Sequence, residues 1–153
     1  MREDRRSGRN DGLLTRALAA AQTLHISPLS LLGERHIEKL VVGSGVDTLD
    51  DGEAATIALA LQLRGVAILD ERKGHRLCRQ LFPDLQVGWT VDLFSNSKVQ
   101  AHLGNEQLAV ALYQALRDAR MSVPQSHLPW LIGLIGADRA SECSSLPKWQ
   151  AAI

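Results

Sequence analysis

Residues 50–76, DDGEAATIALALQLRGVAILDERKGHR, decide how the chain is read. Asp50 or Asp51 caps a helix that runs to Leu63, and Glu53 lies in its first turn. Ala, Leu and Ile fill the remainder nearly all round, which predicts a helix buried on more than one side. Gly65 turns the chain, and Val66 to Leu69 forms a short apolar run suited to a buried strand. A helix of about 11 residues covers roughly 16 Å, and a strand of about five returns nearly as far. Packed as successive antiparallel layers, they bring Glu53 and Asp70 to the same end. Ligand sites of open α/β sheets favour the carboxyl ends of strands.

Two facing carboxylates suit a hard cation such as Mg²⁺ or Mn²⁺, which takes oxygen ligands and keeps several waters. Phosphodiester hydrolysis on one or two metals normally has three or four acids around it. Arg72, Lys73, Arg76 and Arg79 follow within eight residues, a positive cluster fit to grip phosphate oxygens. The same residues have a purely structural reading. Acids at a helix N-terminus offset its dipole by about 0.3–1 kcal/mol, Asp70 can open a turn, and the cations can line a solvated face.

Outward from this block, Leu13–Leu24 and Leu29–Val42 read as helices separated by Ser27-Pro28. The second has Leu32, Ile37, Leu40 and Val41 as its expected apolar face and ends at Gly43-Ser44-Gly45. Downstream, His75–Leu81 reads as a helix and Leu85–Val87 as a second short strand. Val91–Leu103 and Asn105–Met121 read as helices separated by Gly104, the longer with Leu108, Leu112, Ala115, Leu116 and Ala119 on one face. Trp130–Ile135 closes the set, and the tail docks through Leu146 and Trp149. Helices alternating with short buried strands predict an α/β fold on a parallel sheet.

At 153 residues the chain is one domain's worth of core. Lys and Arg equal Asp and Glu at 17 each, so only a local patch can attract a polyanion. Aromatic content of 4% argues against a surface that stacks bases on rings. Cys78 and Cys143 form no CxxC pattern and read as separate reduced core thiols. The five histidines show no HxxxH or HExxH spacing. The start, MREDRRSGRNDG, lacks an apolar signal segment, and no apolar run is long enough to span a bilayer. These features predict a soluble, cytoplasmic protein with no membrane partner.

Leu49–Ala60 (LDDGEAATIALA) followed by Ala67–Arg76 (AILDERKGHR) resembles a branch of the PIN-domain family, in which a GEAxAIxLA helix leads into a strand ending in DExxGR. The matched block covers about 28 residues. The resemblance implies a PIN-like α/β/α sandwich with a short parallel sheet. It also implies an Mg²⁺- or Mn²⁺-dependent ribonuclease of the toxin type. Carried over, Glu53 matches the acid opening the metal-site helix and Asp70 the acid ending the following strand, the two catalytic candidates. Glu71 is a neighbour able to substitute or assist, and Asp92 sits just beyond the second strand. These four acids are the metal candidates. Arg72, Lys73 and Arg76 are the RNA-backbone candidates.

PIN domains of this kind begin with an apolar strand ending in an essential Asp and carry another acid before the GEA block. Asp4 and Asp11 lack such a strand, and Glu34 and Glu38 lie on a helix without a clear match. The expectation is therefore a PIN-like domain over 13–136 with its first strand apparently missing. A disordered leader precedes it at 1–12 and a C-terminal tail follows at 137–153. The absent strand leaves strand edges and apolar surface exposed. The alternative is a non-catalytic PIN-like protein that binds an antitoxin, another protein or a second copy of itself.

Overall fold

The structure, a computed structural model, describes residues 25–42 and 48–147. The expected leader, the helix over 13–24, the glycine-rich turn at 43–45 and Trp149 lie outside the described residues.

Helix α1 (Leu31–Val41) starts at Ser30, whose hydroxyl accepts from the Gly33 amide at 3.2 Å. Its inward face is Gly33, Ile37, Leu40 and Val41, and Leu32, expected to face inward, is 62% exposed. The reason lies at Gly33, where α1 passes so close to α2 that a Cβ would stand 3.3 Å from Gln62 Oε1. A helix can approach another across a glycine, and that turned the buried stripe by one position. Gln62 ties the same crossing from both ends, accepting from the Ser30 amide at 2.8 Å and donating to the Pro28 carbonyl at 3.0 Å.

Helix α2 (Asp51–Leu63) is capped by Asp50, whose carboxylate accepts from the Glu53 amide at 2.7 Å. Ala54, Ile57 and Ala58 on it are wholly buried, and full burial of a side chain the size of Ile57 is worth about 1.5–3 kcal/mol. Arg64 closes the helix in the left-handed conformation at φ 52°. Strand β1 (Val66–Ile68) then runs back along the helix. Helix α3 (Arg72–Leu81) begins three residues earlier than its sequence pattern predicts. Strand β2 (Gln86–Gly88) pairs with β1 in parallel, Val66 opposite Gln86 and Ile68 opposite Gly88. Leu40, Ile57, Ala67, Leu69, Leu77 and Cys78 pack into a first core between these elements.

The remainder is helical. Helix α4 (Thr90–Ser95) and helix α5 (Ser97–Arg117) are separated at Asn96, whose side chain accepts from the Lys98 amide at 3.0 Å. The continuous helix expected over 91–103 therefore breaks at a local cap. Gly104, expected as a boundary, is indeed non-helical at φ 69°. Leu108, Leu112 and Leu116 line the inner face of α5 at i, i+4, i+8, whereas Ala119 falls beyond the helix and is exposed. A 3₁₀ turn (Gln125–His127) leads into α6 (Leu128–Ile135) and α7 (Ala137–Ser141). Val91, Leu108, Leu112, Leu131, Ala140 and Cys143 form a second core, joined by Leu146 of the tail. The protein is thus mixed α/β, mostly helical, with a two-stranded parallel sheet among the described residues. No helix among them is long and apolar enough to cross a membrane. Cys78 and Cys143 are free thiols in separate cores, as the sequence implied.

Candidate functional site

The matched lengths of α2 and β1 set the geometry. Glu53, in the first turn of α2, lies over the first turns of α3, which begins two residues after Asp70. A Cβ at position 74 would stand 3.1 Å from Glu53 Oε1 and 3.0 Å from Leu69 Cδ1, so only glycine lets α3 come this close. Glu53 Oε1 is buried there and has no hydrogen-bond partner. Burial raises the pKa of this carboxyl above its ordinary value, the negative charges of Glu71 and Asp50 raise it further, and Lys73 opposes them. The same environment pushes the neighbouring Cys78 thiol up to about 11, through burial first and the Glu53 charge second. A thiol held that high is inert at neutral pH.

Asp70 faces another way. Its Oδ1 accepts from the Thr90 amide at 2.9 Å, the first amide of α4. Asp92 accepts from the adjacent Trp89 amide at 2.7 Å, reaching back from the third position of α4. The two carboxylates thus occupy neighbouring orphan donors of one helix N-terminus. Close approach again needs a glycine, since a Cβ at Gly88 would lie 3.2 Å from Asp92 Oδ2.

Two residues that sequence reasoning passed over complete the arrangement. His127 Nε2 lies 2.8 Å from Asp92 Oδ1, and its Nδ1 is 3.2 Å from Ser126 Oγ. His75 Nε2 lies 2.8 Å from the Leu69 carbonyl, and its ring stacks on Trp89 with centroids 3.9 Å apart. A carbonyl or a carboxylate only accepts, so Nε2 carries the proton in both rings when neutral. No spacing rule links Asp92 to His127, 35 residues on. A contact of that kind arises from the fold and leaves no trace in periodicity.

The structure therefore groups the sequence-predicted residues in two sets at the carboxyl ends of the strands. Glu53 shares its field with Glu71 and Lys73, while Asp70 and Asp92 share the start of α4. On α3, Arg72 and Arg79 are exposed, and Lys73 and Arg76 are half-buried with partners of their own. For a divalent cation, the orphaned Glu53 oxygen flanked by like charges is the fitting ligand. Among the described residues no three His, Cys, Asp or Glu side chains converge on one point, so a cation held there would retain most of its waters.

No family model matches the chain, and neither the curated proteins nor the solved structures contain a significant match to it.

Proposed function

We propose that the chain is a PIN-like, divalent-metal-dependent ribonuclease module, acting on RNA phosphodiesters at the carboxyl ends of β1 and β2. One observation carries the reading. Glu53 holds a buried carboxylate oxygen without a partner, among acids that make its charge costly. Water-exposed structural carboxylates have no need of such a position, whereas a cation ligand does. Bound Mg²⁺ or Mn²⁺ would supply an activated water and stabilise charge on the phosphoryl oxygens.

The chain's own residues have separable tasks in this scheme. Glu53 and Glu71 would hold the cation, and Asp70, turned toward Thr90, would reach it only through one of the cation's waters, with the oxygen not committed to that amide. Lys73 limits the repulsion between the acids. Arg72 and Arg76 steady the phosphate backbone along the first turns of α3. The sequence resemblance over Leu49–Arg76 supports the same assignment, and Asp92 positions α4.

A second reading is favoured by the absence of a converging third acid among the described residues. The PIN-like scaffold would then bind an antitoxin or other protein without cutting RNA. Glu53→Gln and Asp70→Asn distinguish the two in a cleavage assay on single-stranded RNA with Mn²⁺. The nuclease reading expects cleavage by the unaltered chain that falls at least a hundredfold in each variant while far-UV circular dichroism is unchanged. Cleavage that persists in both removes these acids from the chemistry, and no cleavage in any form leaves the binding reading.

A further inference from the structure

Strand β1 has one edge without a partner among the described residues, and the hydrogen-bond pattern says which of its groups lie there. In a parallel pair, a residue directs both its amide and its carbonyl to one neighbour, and the next residue directs both the other way. The Leu69 amide donates to the Gly88 carbonyl at 2.9 Å. With Ala67 opposite Val87 in the register, Ala67 and Leu69 face β2. Val66 and Ile68 therefore present their amides and carbonyls to the open edge.

That edge lacks the usual protection. It carries no proline, no bulge and no inward charge, and Val66 is 51% exposed. Leu63, which precedes the strand, is also exposed, and an open groove of about 590 Å³ at the N-terminal ends of the two strands, lined by Leu61, Val66, Phe82 and Leu85, adjoins it.

The geometry points to a second copy of this chain as the occupant, its β1 pairing antiparallel with this one about a two-fold axis through Ala67. Only that register uses every outward group. Val66 then exchanges amide and carbonyl bonds with Ile68 of the second copy, and Ile68 with its Val66, giving four bonds. A two-fold axis at Val66 or Ile68 would engage half as many. Charge agrees with the register. Arg64 falls opposite Asp70 of the second copy, twice by symmetry, and the Arg64 guanidinium has no ion pair or hydrogen bond among the described residues, the backbone amide of Arg64 being the group that caps α2. The interface is isologous and closes at two chains, giving a four-stranded sheet in the order β2-β1-β1-β2. Each candidate site gains a cation from the other chain, next to Asp70. The pairing goes beyond the nuclease reading and needs neither metal nor RNA.

Sedimentation equilibrium of the full chain in chelator, with backbone amide exchange across a concentration series, tests it. A dimer is expected, with Val66 and Ile68 amides exchanging at least tenfold more slowly in the dimer than on dilution. Val66→Pro removes an outward amide that the β1–β2 ladder does not use, and raises the dissociation constant tenfold or more. Should that variant misfold, Arg64→Glu, outside the ladder, weakens association severalfold at low salt and less at high salt. A monomer at several hundred micromolar overturns the proposal, as does a dimer indifferent to both substitutions. So do Val66 and Ile68 amides protected equally at all concentrations, the sign of an edge covered by its own chain.

Discussion

Between residues 31 and 88, Ala54, Ala60, Ala67 and Cys78 share the core with Leu40, Leu49, Ile57, Leu69 and Leu77, so nearly half of it is small side chains. Between 89 and 147 only Ala140 and Cys143 of the buried cluster are small, and Leu108, Leu112, Leu116, Leu131, Ile135 and Met121 supply most of its volume. The difference follows what each region holds. In the first, the backbone approaches carboxylates within glycine distance, Gly74 of α3 against Glu53 and Gly88 of β2 against Asp92 at the boundary with the second. Close backbone approach leaves little room for apolar volume, so this region gains less from burial and carries an ionisable group at cost. The second region holds Asp92 and His127 only where it meets the first, and its long helix interlocks chiefly by aliphatic volume. The first region carries the buried carboxylate, and the second contributes the larger share of apolar volume.

The contrast breaks most easily at its strongest point. Leu112→Ala, at a position with no exposure, should cost about 2–5 kcal/mol in urea denaturation. A loss below 1 kcal/mol would mean that the second core is not the stabilising one. Gly74→Ala is next. Its added methyl meets Leu69 and Glu53, and overpacking of about 1–3 kcal/mol outweighs the roughly 1 kcal/mol that alanine gains over glycine in a helix. A net stabilisation would show that the first region has slack.

Asp92→Ala removes the acceptor for the Trp89 amide and the His127 contact. It should lower stability by about 1 kcal/mol, and His127→Ala by less because Asp92 keeps its amide bond. Equal losses would put the weight on the imidazole.

The smallest effect has an unusual sign. The folded pKa of Glu53 is raised, so folding favours its protonated form. That contribution is complete below the ordinary value of 4.5 and is lost as pH rises through the folded value. In chelator, Glu53→Gln should therefore be more stable than the unaltered chain at pH 7, with the gain vanishing as pH falls below 4.5. A Gln variant less stable at pH 7 would mean that the carboxylate has a structural partner after all.

Much of the first region was legible in sequence because its signals are local. Asp50 caps α2, the turn expected at Gly65 comes one residue earlier at Arg64, and Val66–Ile68 forms the strand that the apolar run implied. Matched element lengths predicted only that Glu53 and Asp70 would come to the same end. The packing of Glu53 against Gly74 of α3 and the turn of Asp70 to the Thr90 amide were not legible there. Sequence periodicity failed where contacts are set by small or distant residues. Gly33 lies on the buried face of α1 yet carries no hydrophobic signal, so periodicity alone points Leu32 inward, whereas the structure exposes it. Asn96 broke a continuous helical pattern through a single side-chain bond. The turning of Asp70 toward Thr90 and of His127 toward Asp92 depends on how the second region docks. No local pattern encodes that.

The account rests on Glu53 being a cation ligand held in waiting. Calorimetric titration of Mn²⁺ into the chelator-treated protein and its Glu53→Gln variant reads this directly. The expected result is one site per chain in the unaltered protein and none in the variant, although the variant is the more stable of the two. Equal Mn²⁺ binding by both proteins, or none by either, would contradict it.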